Sequence, residues 1–329
     1  MSASPSVSVV MPVRDGERFL GEAVESVLGQ TLADLELIVV DDGSTDGTPA
    51  LLAGLARRDD RVRVLTQAAG GLTAALNAGC ALARAPLIAR MDADDVASPD
   101  RLERQASRLD ERPDVALLGG GIVLVDERGR EFDREPGRVV PDLSRRNEVV
   151  HGTVVMRADA FRALGGYRLD QAEDYDLWLR FDERHGIAAL PEPVIRYRFH
   201  PGQFSVTRLE RQALGSLCVR AAARERRAGR PDPLDGVERL DAEVAARLRV
   251  PREEVDRCVV EDAVQWAATL RRVGREAEAD ALLDAAARVP GAPPRRALAR
   301  RARLLLLKRA ARHGRVRESA RQLAGWARP

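Results

Sequence analysis

Four times within the first 110 residues a short β-rich run gives way to a segment with apolar residues at helical spacing, and this alternation restricts the fold more than any other feature of the chain. Residues 7–11 read as a strand stopped by Pro12, and 17–28 then place Phe19, Leu20, Val24, Val27 and Leu28 on one helix face. The pairs 36–41 and 48–57, 62–66 and 72–83, and 87–91 and 99–109 repeat the unit. Such alternation predicts a largely parallel sheet with helices on both faces. Open parallel sheets bind ligands beyond the carboxyl ends of their strands. Acids sit there: Asp41 and Asp42 end the second strand, and Asp92, Asp94 and Asp95 follow the fourth. Asp46, Thr48 and Pro49 read as a helix start, as do Ser98 and Pro99.

Beyond residue 115 the pattern loosens into a turn at Gly119-Gly120-Gly121, a strand over 122–125 and a polar excursion over 126–141. A strand over 153–156, a helix over 174–185 and a strand over 194–199 complete the α/β domain, set at 1–207. After Thr207 the strand signal stops. Ala, Arg, Leu and Glu at helical spacing predict an all-α region over 208–329, with a helical hairpin at 255–272 and 276–288 in an irregular bundle.

Composition narrows the function. With 45% hydrophobic, 32% charged and 4% aromatic residues, the chain reads as a soluble globular protein with an aliphatic interior. A net charge of +2 does not suggest a nucleic-acid partner. Residues 295–329 concentrate cations, eleven Arg and Lys308 against Glu318 alone. Within 295–312, Leu298 and Leu304 to Leu307 lie among arginines. That helix fits peripheral contact with an anionic membrane, or leucines packed on the bundle beneath a solvated face. Cys80, Cys218 and Cys258 are odd in number and far apart, which argues against a disulfide framework or a zinc site and for a reducing, cytoplasmic setting. No secretory signal opens the sequence and no run reaches the length and apolarity of a membrane span, so the expected location is cytoplasmic, or peripheral at the inner face of a membrane.

The central chemical signal is Met91-Asp92-Ala93-Asp94-Asp95. Three carboxylates within four residues repel one another unless a cation or hydrogen-bond donors compensate, and a hard divalent ion, Mg2+ or Mn2+, would do so. The alternative is an acidic loop that caps the next helix. Around this cluster lie Val40-Asp41-Asp42-Gly43-Ser44-Thr45-Asp46 and Glu173-Asp174-Tyr175-Asp176-Leu177-Trp178-Leu179-Arg180. Met11-Pro12-Val13, Gly71-Leu72 with Ala75 to Gly79, Pro99 to Leu102, His151 to Val154, Gly165-Gly166-Tyr167 and Tyr197 to His200 join them in order. Together these motifs resemble the inverting family-2 glycosyltransferases of the GT-A fold over about 200 residues.

The resemblance implies a metal-dependent enzyme that moves a sugar from a UDP-, GDP- or dTDP-linked donor to a hydroxyl of a glycan or lipid-linked acceptor, as in polysaccharide biosynthesis. It implies that Asp42 reads the base, that Asp92 faces the ribose or the metal through water, and that Pro12, Arg14 and Gly71 line the donor. Asp94 and His200 would hold the metal, with 201–205 closing over the diphosphate. Asp174 would be the general base, with Glu173 and His151 on the acceptor side, Asp95 capping the next helix, and Trp178 and Leu179 in the core. Arg14 stands where an aromatic is common, and Gln67-Ala68-Ala69 replaces an Asn-containing approach to Gly71, so the nucleotide stays open. A sugar nucleotidyltransferase would need a glycine-rich basic loop after the first strand, which Pro12-Val13-Arg14-Asp15 does not supply. The remaining alternative is a nucleotide-sugar-binding or scaffolding protein without transfer activity, which the intact acid set disfavours.

Overall fold

A computed structural model describes residues 4–139, 142–200 and 208–312. The chain forms two compact units, Met1–Phe199 with Val219–Leu240, and His200–Cys218 with Asp241–Pro329. The segment 201–205, expected to close over a diphosphate, and the end of the basic tail lie outside the described residues.

The first unit is built on one mixed sheet of nine strands: β1 (Val7–Val13), β2 (Leu35–Asp42), β3 (Val62–Gln67), β4 (Leu87–Arg90), β5 (Val96–Ala97), β6 (Val115–Val125), β7 (Glu131–Glu135), β8 (Val155–Arg157) and β9 (Gly186–Arg198). Their order is β3-β2-β1-β4-β8-β6-β9-β5, with β7 paired to β6. β3, β2, β1 and β4 run parallel, as strand–helix alternation requires, and so do β6 and β9. β8 enters antiparallel between β4 and β6, and β5 and β7 are antiparallel to their neighbours. Every residue of β1, β2 and β6 is buried, as expected of strands covered on both faces. α1 (Leu20–Leu28) places Leu20, Ala23, Val24 and Val27 against this core, the i, i+3, i+4, i+7 stripe of an amphipathic helix. α2 (Thr48–Arg58), α3 (Leu72–Leu82), α4 (Arg101–Glu111), α5 (Ala158–Ala163) and α6 (Glu173–Arg184) complete the layers.

Two expectations change for physical reasons. Pro12 does not stop β1. The Met91 amide donates to the Val10 carbonyl, so Val10 faces β4. Pro12, two residues on, faces the same side beyond the last β4 partner and forfeits no ladder bond. Gly119-Gly120-Gly121 is not a turn but the middle of β6. A β-carbon on Gly120 would stand 2.6 Å from Val194, and one on Gly121 2.7 Å from the Glu135 carbonyl oxygen. Glycine is needed there so that neighbouring chain can approach, and the ladder with β9 shifts register around Gly121. Part of the expected excursion is therefore the β6–β7 hairpin.

In the second unit, α9 (Arg252–Arg272) and α10 (Glu276–Ala287) form the expected hairpin, with Gly274 at φ +78° between them. α8 (Ala242–Arg247) starts under Asp241, whose carboxylate accepts from the Glu243 and Val244 amides. α7 (Leu209–Arg227) contributes its residues up to Cys218 here and those from Val219 to the first unit. α11 (Arg295–Arg312) buries Leu298, Ala302 and Leu306 in the bundle and leaves Leu304 exposed. Among the described residues, no helix is long and apolar enough to cross a membrane.

Candidate active site

β2 and β4 flank β1 and run parallel to it, so their carboxyl ends open on one edge of the sheet, two strand spacings or about 10 Å apart. At the β4 end, Asp92, Asp94 and Asp95 each present a carboxylate oxygen within 4.8 Å of the others. Asp92 pairs with Arg90, the last residue of β4, which is 4% exposed. Beneath them Arg101, fully buried, donates to the Arg90 carbonyl at 2.8 Å. Burial lowers the Arg101 pKa to about 9, so it remains a cation at neutral pH, close enough to Asp92 and Asp95 for their charges to act on it.

Asp95 does not cap α4. One carboxylate oxygen accepts the Arg198 amide at 2.8 Å, and the other is buried without a hydrogen-bond partner among the described residues. Burial pushes Asp92 and Asp95 above the usual carboxylate range, and repulsion from Asp94 pushes further. Gly152 lies alongside: a β-carbon there would stand 2.9 Å from Asp92 Oδ2 and 3.3 Å from Asp95 Oδ2. A cluster of hard oxygens, one of them orphaned, beside a cradle that only glycine leaves open, fits a divalent cation of the Mg2+ or Mn2+ kind.

The neighbouring residue, His151, leads to the second acid pair. Its Nε2 meets the Tyr167 hydroxyl at 3.0 Å and its Nδ1 lies 3.8 Å from Glu173. Burial, and then the Arg90 charge, depress the His151 pKa well below its ordinary value, so the ring is neutral. Glu173 and Asp174 open α6. Burial and the adjacent Asp174 push Glu173 up to about 8. Burial also raises Asp174, against hydrogen bonds from Tyr175 and Asn147 and the Arg90 charge. Asp174 Oδ1 accepts the Tyr175 amide at 2.7 Å, while Oδ2, among the described residues, has a long 3.4 Å contact with the Asn147 amide. Ala172, immediately before the pair, sits at φ +52°, a left-handed conformation that a non-glycine residue adopts only when its surroundings hold it there. Gln171 and Asp170 supply that hold by bonding the main chain of Leu240 and Glu238.

At the β2 end, Asp42 accepts from Gln67 Nε2 at 2.8 Å and from the Gly70 and Gly71 amides at 2.7 and 2.8 Å. It thereby shapes the loop before α3. Gly71 takes φ +87°, which explains its residue type. α3 in turn is pinned to the approach to Glu173: Asn77 exchanges two hydrogen bonds with the Tyr167 main chain and Thr73 bonds the Leu169 carbonyl. Pro12 lies buried near the end of β1, and Arg14 is exposed beside Asp15. Trp178 and Leu179 are fully buried in the core.

Asp42, Gly71, Asp92, Asp94, His151, Glu173 and Asp174 thus belong to one connected region. His200 opens the second compact unit, so its role as a metal ligand rests on the sequence. Arg101 and Gly152 lie inside motifs quoted from the sequence but had no role assigned, while Arg90 and Asn147 lie outside those motifs. The arginine in the otherwise apolar strand Leu-Ile-Ala-Arg was an available signal, since a strand-buried cation needs a nearby acid.

The sheet order and acid-lined edge are those of the GT-A class. The chain is similar in structure to the mannosyltransferase PcManGT from Pyrobaculum calidifontis, solved with GDP-Man and Mn2+, with a TM-score of 0.56 at 18% identity over 98% of this chain and 87% of that one. The pattern of the family described as glycosyl transferase family 2 matches residues 8–164. The chain is 37% identical over 195 residues to a Bacillus subtilis protein named as a glycosyltransferase, EpsE, covering 56% of this chain and 69% of that protein. It is 34% identical over 204 residues to the O-antigen biosynthesis glycosyltransferase WbnJ of Escherichia coli, covering 59% and 80%. The chain belongs to glycosyl transferase family 2 and is a glycosyltransferase.

Proposed function

We propose that this enzyme transfers a sugar from a nucleoside-diphosphate-sugar to an acceptor hydroxyl with inversion at the anomeric carbon, and that it depends on Mg2+ or Mn2+. One observation carries the reading: half-buried Asp92 and Asp94 and buried Asp95, with an orphaned Asp95 oxygen beside Gly152, connect through Arg90 and His151 to the half-buried Glu173-Asp174 pair. Asp94 would hold the ion, which when bound neutralises charge on the departing diphosphate. Asp42 would accept from the base, Asp92 would take the ribose side, and Gly71 with Pro12 and Arg14 would line the donor.

Asp174 acts as the general base. Oδ2, held loosely at 3.4 Å by Asn147 among the described residues, is the oxygen able to take the acceptor proton. A pKa raised by burial brings a carboxylate closer to the basicity that proton abstraction needs. Attack on the face opposite the leaving diphosphate is a single displacement and therefore inverts the centre. Glu173, which holds a proton at neutral pH, donates to an acceptor oxygen, and neutral His151 orients it.

The catalytic domain is taken as 1–207 and the helical region as 208–329, with Val219–Leu240 bracing the loop before the base. The donor carries UDP, GDP or dTDP. The acceptor is glycan or lipid-linked, in line with the O-antigen role in the name of WbnJ. Peripheral contact of 295–312 with an anionic membrane would use its arginines, since much of its apolar stripe is spent inside the bundle. A nucleotide-sugar-binding scaffold would need no base beside the triad, and Asp174 disfavours that reading.

The test is a thermal-shift screen of UDP-, GDP- and dTDP-sugars with and without Mn2+, followed by radiolabelled transfer. Asp94→Ala should lose the Mn2+-dependent shift. Asp174→Asn should keep it and lose transfer by about 10²- to 10⁴-fold. Wild-type turnover in either variant would end the assignment.

A further inference from the structure

Arg198, the last residue of β9, is 3% exposed and has no part in the chemistry above. Its backbone amide donates to Asp95 Oδ1 at 2.8 Å and its Nε to the Asp94 carbonyl at 2.9 Å. One guanidinium nitrogen reaches the Glu127 carbonyl at 3.3 Å and the other reaches Glu22 of α1 at 2.6 Å. The guanidinium lies 4.6 Å over the Phe19 ring. One residue from β9 thus grips both halves of the Asp94-Asp95 dipeptide, more than 100 positions away in sequence, and anchors it to α1.

We propose that Arg198 is a positioning residue that pre-forms the divalent-ion loop. Its bond to the Asp94 carbonyl fixes the peptide plane beside which the Asp94 carboxylate is carried. Its amide engages one oxygen of Asp95 and leaves the other, the orphaned Oδ2, for the ion. A planar fork that serves three acceptors while stacked on an aromatic ring is beyond a lysine, whose ammonium is a single point charge. Groups that hold metal ligands from behind typically change metal affinity 10- to 100-fold when removed. The inference rests on the reading that Asp92, Asp94 and Asp95 hold a divalent cation.

The test measures Mn2+ dissociation constants of the full chain by electron paramagnetic resonance of the free ion, with thermal unfolding in EDTA as the fold control. Asp94→Asn should abolish binding, Arg198→Met should weaken it about 10- to 100-fold, and Arg198→Lys should recover part of the loss. If Arg198→Met fails to fold, Arg198→Lys decides alone, with at least threefold weaker binding expected. Arginine variants that bind Mn2+ as tightly as wild type while Asp94→Asn does not would overturn the role of Arg198. Wild-type affinity in Asp94→Asn would instead remove the cation reading, and this inference with it.

Discussion

Gly152→Ala isolates the space beside the acid triad from everything else at the site. Gly152 does not take a positive φ, so only crowding resists an alanine. The added methyl would stand 2.9 Å from Asp92 Oδ2, 3.3 Å from Asp95 Oδ2 and 3.3 Å from Ile195 Cδ1. The first contact is shorter than real β-carbons tolerate, and Asp92 cannot swing freely because it is paired with buried Arg90. Overpacking of this kind costs about 1–3 kcal/mol. The stiffer unfolded chain returns about 0.4–1 kcal/mol, leaving a net loss on the order of 1–2 kcal/mol, or a melting temperature lower by roughly 3–6 °C. The effect on metal should be larger, because the methyl occupies the side from which two carboxylate oxygens would reach an ion. A 100-fold loss of Mn2+ affinity corresponds to about 2.8 kcal/mol. Isothermal titration with Mn2+ and calorimetric unfolding measure both quantities on the same protein. Mn2+ affinity within threefold of wild type, with an unchanged melting temperature, would refute the argument that this glycine keeps the cradle open.

Other substitutions probe the two ends of the site. Asp42→Asn replaces one of the acceptor oxygens serving Gln67, Gly70 and Gly71 with an N–H donor. It should cost about 1.5–3 kcal/mol for each bond lost to the charged group and raise the donor KM more than tenfold, whereas a KM within twofold would show that the loop does not serve the donor. Glu173 has a folded-state pKa of about 8 against an ordinary 4.5, so the folded protein keeps a proton that the unfolded chain releases. Metal-free stability should therefore fall as pH rises from about 5 to about 8, and Glu173→Gln should flatten that slope. Denaturant unfolding across this range checks it, and identical slopes in both proteins would contradict the protonated state.

The first four strand–helix units were legible because their core contacts follow local periodicity. A helix needs only an apolar stripe every three to four residues, and a strand buried on both faces needs an apolar run. The placement of Asp41, Asp42 and the Asp92–Asp95 cluster at the sheet edge was legible for the same reason, since the end of a parallel strand is a position that sequence locates. The Gly119-Gly120-Gly121 run misled because glycine serves both turns and close strand packing, and only the neighbours Val194 and Glu135 decide which. Pro12 misled because the cost of a missing amide depends on which neighbouring strand has already ended.

By itself, then, the sequence determined the layer architecture, the helical nature of the second unit and the set of carboxylates at the sheet edge. It could not say which cations those acids face. Arg101 and Arg198 look like ordinary surface arginines in a chain so rich in that residue, and Arg90, though out of place in an apolar strand, does not name its partner. Their burial depends on partners contributed by other elements, such as the Val154 carbonyl for Arg101 and Glu22 for Arg198. Only tertiary structure could decide this, because burying a charge is tolerable only where opposite charge and acceptors from distant parts of the chain converge.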